Sequence, residues 1–288
     1  MGKAGKFRES TASMLPVLLA CSFTASFGQS MMNVALPELA ERFGITLSIA
    51  NWVIVGYMVV AATAIMLAAF MLRRLGLRRV FFVGAGALAL GSAFALVSQN
   101  FPMLFASRLV QAVGTGLFFP SVTSVIMANS PAEVRGTRLA LNSGVIAVGL
   151  AVSPTVSGFA LTQFGWRSMF VVSLAMSAAL LAVGFFRIRG GPSSVRIPID
   201  ALSVVLGPLG LAAFLYGLGE ITHDAGPSVI ALAAGAVLLA LFAWRQFSLK
   251  DPLLDLHPLA RPRFAVGILL VMVGMLTSFS MSILLPLY

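Results

Sequence analysis

This chain is a succession of apolar runs, each close to the length that crosses a lipid bilayer, joined by short polar loops. A hydrocarbon core about 30 Å thick takes roughly 20 helical residues to span. Nine runs of that kind can be marked, at about 14–36, 49–72, 80–97, 102–128, 139–161, 168–186, 202–218, 228–247 and 264–288. The seventh is the shortest and contains Gly207-Pro208, which weakens its helical signal. In lipid every backbone N–H and C=O must find its partner inside the protein, so spans of this length are helices. The expected fold class is an all-α polytopic membrane protein with nine spans.

Composition agrees. Hydrophobic residues make up 59% of the 288 and charged residues 10%, where soluble domains carry about 25% charged. Mean hydropathy is +1.00. A formal charge of +10 and a pI near 11.2 would suit a nucleic-acid binder. The basic residues, however, sit in loops between apolar runs, and no segment interleaves them with aromatics, so nucleic acid is not an expected partner. The lone Cys21 excludes an internal disulfide and offers no metal cluster. Lys3, Lys6 and Arg8 precede the first run in the manner of a signal peptide, but that run is longer than the roughly 7–15 residues of a signal-peptide core. Leu18-Leu-Ala-Cys21 has a lipobox flavour, yet apolar sequence continues past it, and Cys21 reads best as a packing residue. No nucleophile–base, metal or phosphate-loop pattern stands outside the runs, so an enzyme is not expected.

Loop charge sets the expected orientation. Lys3, Lys6, Arg8, Arg73, Arg74, Arg78, Arg79, Arg135, Arg138, Arg187, Arg189, Arg196, Arg245, Lys250, Arg261 and Arg263 fall on one side of the membrane. Only Arg42 and Arg167 fall on the other. The expectation is a multi-pass protein of the inner (plasma) membrane with its N-terminus in the cytoplasm.

The nineteenth basic residue is Arg108, the one charge within the run 101–128. An arginine at mid-membrane costs on the order of 3 kcal/mol by insertion scales, which makes it a functional candidate. Gln111 and Thr115 follow at i+3 and i+7 and share its face. The competing reading is snorkelling, since Arg108 lies six residues past Pro102, roughly 9 Å into the membrane. In the first run Ser22, Ser26, Gln29, Ser30 and Asn33 form a polar stripe, which faces either a water-filled path or a hydrogen-bonded neighbour. In the fifth, Gly149, Ser153 and Ser157 repeat every four residues beside Pro154 and Gly158. Such small residues let backbones approach closely, as a gate seam or as a static packing face.

Several stretches together resemble the major facilitator superfamily, and within it the fourteen-helix drug:proton antiporter branch. Asn33-Val-Ala-Leu-Pro37 is similar to the end of the family's first-helix motif, and Trp52-Val-Ile-Val-Gly-Tyr57 to the start of its second helix. Arg108-Leu-Val-Gln111-Ala-Val-Gly114 resembles the fourth-helix motif. The stretch from Gly149 to Gly158 resembles the fifth-helix antiporter motif, with serines at two of its glycine positions. Gly165-Trp166-Arg167-Ser-Met-Phe170 resembles the turn into the sixth helix, and Asp251-Pro252-Leu-Leu-Asp255-Leu256 the approach to the second half. Arg74, Gly76 and Arg78 match the loop motif after the second helix, where the family's aspartate is replaced by Arg73. By register from Asn33, the family's first-helix acid falls on Gly28.

The resemblance implies a major facilitator-type organisation: a cytoplasmic N-terminus (1–13), a six-helix N-terminal bundle (14–187), a cytoplasmic linker (188–201), an extra helix pair (202–248), a cytoplasmic loop (249–263), and the first helix of an incomplete C-terminal bundle (264–288). It implies efflux of a small organic substrate by alternating access, driven by the proton gradient with no cofactor. Ser26, Gln29, Ser30, Asn33, Arg108 and Gln111 would line the path, and Gly149, Ser153, Pro154, Ser157 and Gly158 would form the gate. Partners are then the bilayer, the solute, and a missing C-terminal half or a periplasmic adaptor. All nine acids fall in loops or at span ends, Glu220 lying nearest a span interior. Arg108 would therefore pair with a face such as Gln29 and Asn33, with a substrate anion, or with a residue outside this chain, the last being preferred. The alternative is a truncated, non-transporting protein, a degenerate or regulatory half-transporter, motivated by Gly28, Arg73 and the short length.

Overall fold

Local capping chemistry sets where the helices begin and end. Thr46 accepts a hydrogen bond from the Ile49 N–H (3.3 Å) and Asn100 from the Met103 N–H (2.9 Å), each satisfying an orphan donor at a helix start. Gly76 adopts φ 78°, a conformation costly for side-chain-bearing residues, and breaks one long helical stretch into two. The computed structural model describes residues 3–188, 200–220, 225–249, 252–254 and 256–284. Its helices are α1 (Lys3–Ser30), α2 (Leu36–Phe43), α3 (Leu47–Leu75), α4 (Leu77–Leu96), α5 (Phe101–Asn129), α6 (Ala132–Phe164), α7 (Arg167–Arg187), α8 (Ala201–Glu220), α9 (Ala225–Ser248) and α10 (Pro262–Leu284).

The fold is all-helical, and eight of these helices are long and apolar enough to cross a membrane among the described residues. Seven match expected runs directly, and the first is the span Met14–Val34, which joins α1 to a 3-10 turn at Met31–Val34. Phe264–Gly274 on α10 is a shorter apolar helix at the ninth run. Pro208 sits within α8 without breaking it, as membrane helices tolerate. Arg189, Arg196, His223, Asp224, Lys250, Asp251 and Asp255 lie outside the described residues, as does the side chain of Glu220.

The short α2 was not expected. It starts at Leu36-Pro37 and stops at Gly44 in a left-handed conformation, too short to register as a span. Its Leu39 is fully buried against the bundle.

The arginine-bearing helix α5 packs along both α3 and α4, while α1 packs against α6, α5 and α7. The pair α8–α9 touches the bundle through α3. The two largest of the apolar clusters among the described residues flank the middle of the bundle. One gathers Leu18, Phe81, Leu88, Phe118 and Ile126; the other gathers Phe27, Met31, Leu104, Trp166 and Phe170. On α4 and α5 the residues between those clusters are polar and buried: Ser92, Arg108, Gln111 and Thr115. Outward faces carry large apolar side chains such as Leu90, Phe159, Phe186 and Leu270. That surface suits lipid rather than water.

Candidate functional site

The polar layer exists because small residues let two helices close on α5. A Cβ on Gly114 would run into the Gly84 carbonyl of α4, and one on Gly116 into the Ala61 carbonyl of α3. With those side chains absent, the backbones approach closely. The contact brings Ser92 of α4 and Tyr57 of α3 onto the Arg108 face.

Arg108 is fully buried, so it does not snorkel to the interface. Its Nη1 donates to the Gly28 carbonyl (3.0 Å) and to Gln111 Oε1 (2.7 Å). Gln111 Nε2 donates in turn to Ser92 Oγ (2.7 Å), and Ser92 Oγ lies 3.0 Å from Ser173 Oγ on α7. The guanidinium stands over the Tyr57 ring, 4.1 Å from its centroid, close enough for a cation–π contact worth up to about 2 kcal/mol when desolvated. Tyr57 Oη and Thr115 Oγ1 are 2.6 Å apart. Arg108 Nε and Nη2 are buried without a hydrogen-bond partner among the described residues. No described carboxylate pairs with it.

Among the described residues Arg108 is held by a backbone carbonyl of α1 and by Gln111 of its own helix, not by Gln29 or Asn33. Gln29 is half-buried and Asn33 is exposed. The physical reason is the end of α1 at Ser30: the 3-10 turn Met31–Val34 has a tighter repeat and rotates Asn33 off the α-helical stripe. Ser26 and Ser30 are buried. Ser26 Oγ donates to the Phe23 carbonyl of its own helix (3.0 Å).

The small-residue face of α6 packs on α1. Ser153 Oγ donates to the Phe27 carbonyl (2.7 Å), and Gly149 stands directly against Ser26. Ser22 Oγ donates to Asn142 Oδ1 (2.7 Å) on the same interface. Ser157 is buried and its hydroxyl lacks a described partner. Pro154 lies within α6 and, with Gly158, is partly exposed. In the loop motif Gly76 is the buried turn residue, while Arg74 and Arg78 are exposed and lie over the Phe70 and Phe82 rings, at 5.8 and 5.9 Å.

A second polar cluster ties α8 to α9. Arg245 grips Asp200 with Nε and Nη2, both at 2.7 Å, and Ser203 donates to the same carboxylate through its hydroxyl and its N–H. Gln246 links Ser203 Oγ (2.7 Å) to the Leu254 N–H (3.2 Å). The Arg245 hydrogen bonds hold the Asp200 carboxyl well below the usual carboxylate range.

Sequence reasoning missed Tyr57, Ser92, Ser173 and Asn142 as members of these networks. Tyr57 closes the stretch that resembles the family's second-helix motif, which was the available signal. The serines carry none beyond helical spacing.

A lipid-facing helical bundle with a buried polar layer gathered on one guanidinium defines the class: a multi-pass membrane protein with an intramembrane polar site. The chain belongs to the Major Facilitator Superfamily, whose family description matches residues 18–288. It is 31% identical over 279 residues to the uncharacterized MFS-type transporter YhcA of Bacillus subtilis (strain 168), covering 96% of this chain and 52% of that protein. It is 30% identical over 280 residues to the lincomycin resistance protein LmrB of the same organism, covering 96% and 58%. It is also 30% identical over 286 residues to a methylenomycin A resistance protein of Streptomyces coelicolor (strain ATCC BAA-471 / A3(2) / M145), covering 96% and 59%. The chain thus spans little more than half the length of these relatives. Among solved structures, a mutant of the peptide transporter POT in complex with sulfate matches with a TM-score of 0.61 at 16% identity, over 83% of this chain and 52% of that one. A D-xylose-proton symporter matches with a TM-score of 0.51 at 15% identity, over 81% and 66%. These two likenesses concern the fold.

Proposed function

We propose that this chain is the Arg108-bearing part of a secondary active transporter that exports small organic solutes by alternating access, coupled to the proton gradient. The observation that carries the reading is the buried Arg108 layer, in which one cation joins α1, α3, α4 and α5 through Gly28, Tyr57, Ser92 and Gln111. An intramembrane charge is expensive and is kept where a solute or ion passes. The resistance proteins named for lincomycin and methylenomycin A among its relatives support export as the direction.

The α1–α6 interface is the moving seam of the mechanism. Small residues bring the two backbones close there, and the Ser22–Asn142 and Ser153–Phe27 hydrogen bonds are the contacts that would break and re-form as the helices move. Ser26, Gln29, Ser30, Asn33 and Gln111 line the path together with Arg108, and Arg74, Gly76 and Arg78 form the basic turn on the cytoplasmic side. Proteoliposomes carrying the protein, loaded with cationic, neutral or anionic dyes, test this with and without an imposed pH gradient. Gradient-dependent dye movement supports export, and no movement of any dye in either condition refutes it.

A further inference from the structure

Arg108 and Arg245 show the same side-chain fork in two states. In Arg245 the fork of Nε and Nη2 is filled by both oxygens of Asp200, each at 2.7 Å. In Arg108 those same two atoms are the ones without a partner, while Nη1 is saturated by the Gly28 carbonyl and Gln111. Nε–H and the adjacent Nη2–H point the same way and match the two oxygens of a carboxylate. Leaving buried donors of a charged group unfilled is costly, and that cost is recovered when an anion arrives.

At Gly28 the packing leaves a gap about one methyl group in size. A Cβ built there meets nothing closer than Tyr57 Oη, at 3.9 Å. Gly28 thus contributes a carbonyl and no side chain, in a buried polar layer that holds no described carboxylate for Arg108. We infer that the corner formed by Gly28, Tyr57 and Arg108 is a carboxylate subsite, and that the exported solutes include organic monocarboxylates whose anionic group fills the Nε/Nη2 fork. Tyr57 packs against one face of the guanidinium and excludes water from the pair. Both residues are fully buried in the arrangement described, so the anion enters when a neighbouring helix moves aside.

This rests on the transport reading above but is tested by binding alone. The protein in lipid nanodiscs is titrated with benzoate and with benzamide, an uncharged near-isostere, by calorimetry. Benzoate is expected to bind about ten- to a hundred-fold more tightly, the range of a charge-assisted bidentate pair. Arg108→Gln should abolish the preference. Arg108→Lys, which keeps the charge and loses the fork, should remove most of it. Gly28→Asp places the chain's own carboxylate beside the fork and should eliminate benzoate binding while the protein remains monodisperse and helical. Equal affinities for benzoate and benzamide, or a benzoate preference that survives Arg108→Gln, overturns the assignment. Dye transport that persists alongside either result leaves the transporter reading standing and removes only the carboxylate subsite.

Discussion

Arg108 Nη1 lies 3.0 Å from the carbonyl oxygen of Gly28, so the buried cation of α5 is held by the backbone of α1 at a position that offers no side chain. A carbonyl carries only a partial charge and leaves the guanidinium's formal charge uncompensated. The site is consequently a cation with a vacant fork, in a layer walled by apolar clusters on both sides.

Removing that charge should not unfold the protein. Arg108→Leu deletes two orphaned buried donors, each costing about 1–3 kcal/mol, and this offsets the similar cost of leaving the Gly28 carbonyl and Gln111 Oε1 without their donor. The thermal midpoint in detergent should stay level or rise by a few degrees. A fall of ten degrees or more would mean that the Arg108 bonds hold the fold together.

The tightness of the α1–α6 seam predicts a contrast between two glycines of one helix. Gly149→Leu drives a side chain into Ser26 and should cost about 1–3 kcal/mol, lowering the thermal midpoint and the yield of folded protein. Gly144→Ala meets nothing within 4 Å and should be silent or slightly stabilising. Equal midpoints for the two variants would show that α6 does not rest on α1 there.

The Asp200–Arg245 pair predicts a pH-dependent link between α8 and α9. The folded carboxyl titrates below its ordinary value, so its contribution is fully present above the ordinary carboxylate pKa of about 3.9 and is lost as pH falls below that toward the lowered folded value. Asp200→Asn should lower the midpoint by a few degrees at neutral pH, and the gap to wild type should hold to about pH 5 and close below about pH 4. A gap that closes between pH 7 and 6 would assign the effect to another group.

Much of the architecture was legible because each run carries its own signal. The face Arg108, Gln111 and Thr115 followed from helical spacing, and the structure does place all three in one buried layer. The identity of Arg108's partner did not follow, because the acceptor is the Gly28 carbonyl and a backbone oxygen leaves no trace in residue type. Asn33 stands away from Arg108 because a 3-10 turn follows Ser30, and nothing in the apolar pattern marks that change of repeat. The packing of Gly149 and Ser153 on α1 is a pairing between helices, which one sequence does not encode at the level of periodicity.

Tyr57 separates ring from hydroxyl. Tyr57→Phe removes the 2.6 Å contact to Thr115 and keeps the ring against Arg108, so transport should fall by no more than a few-fold. Tyr57→Leu also removes the cation–π surface and should cost about tenfold or more, in line with about 1–2 kcal/mol. Initial export rates at matched protein level check the order. Equal rates for the two variants would contradict it.

The most direct measurement is export from inverted vesicles that contain the full-length protein, comparing wild type with Arg108→Ala at matched membrane level. If the buried guanidinium is the centre of the transport path, the variant should reach the membrane and lose about tenfold or more of its initial rate. Export at the wild-type rate would remove Arg108 from the mechanism.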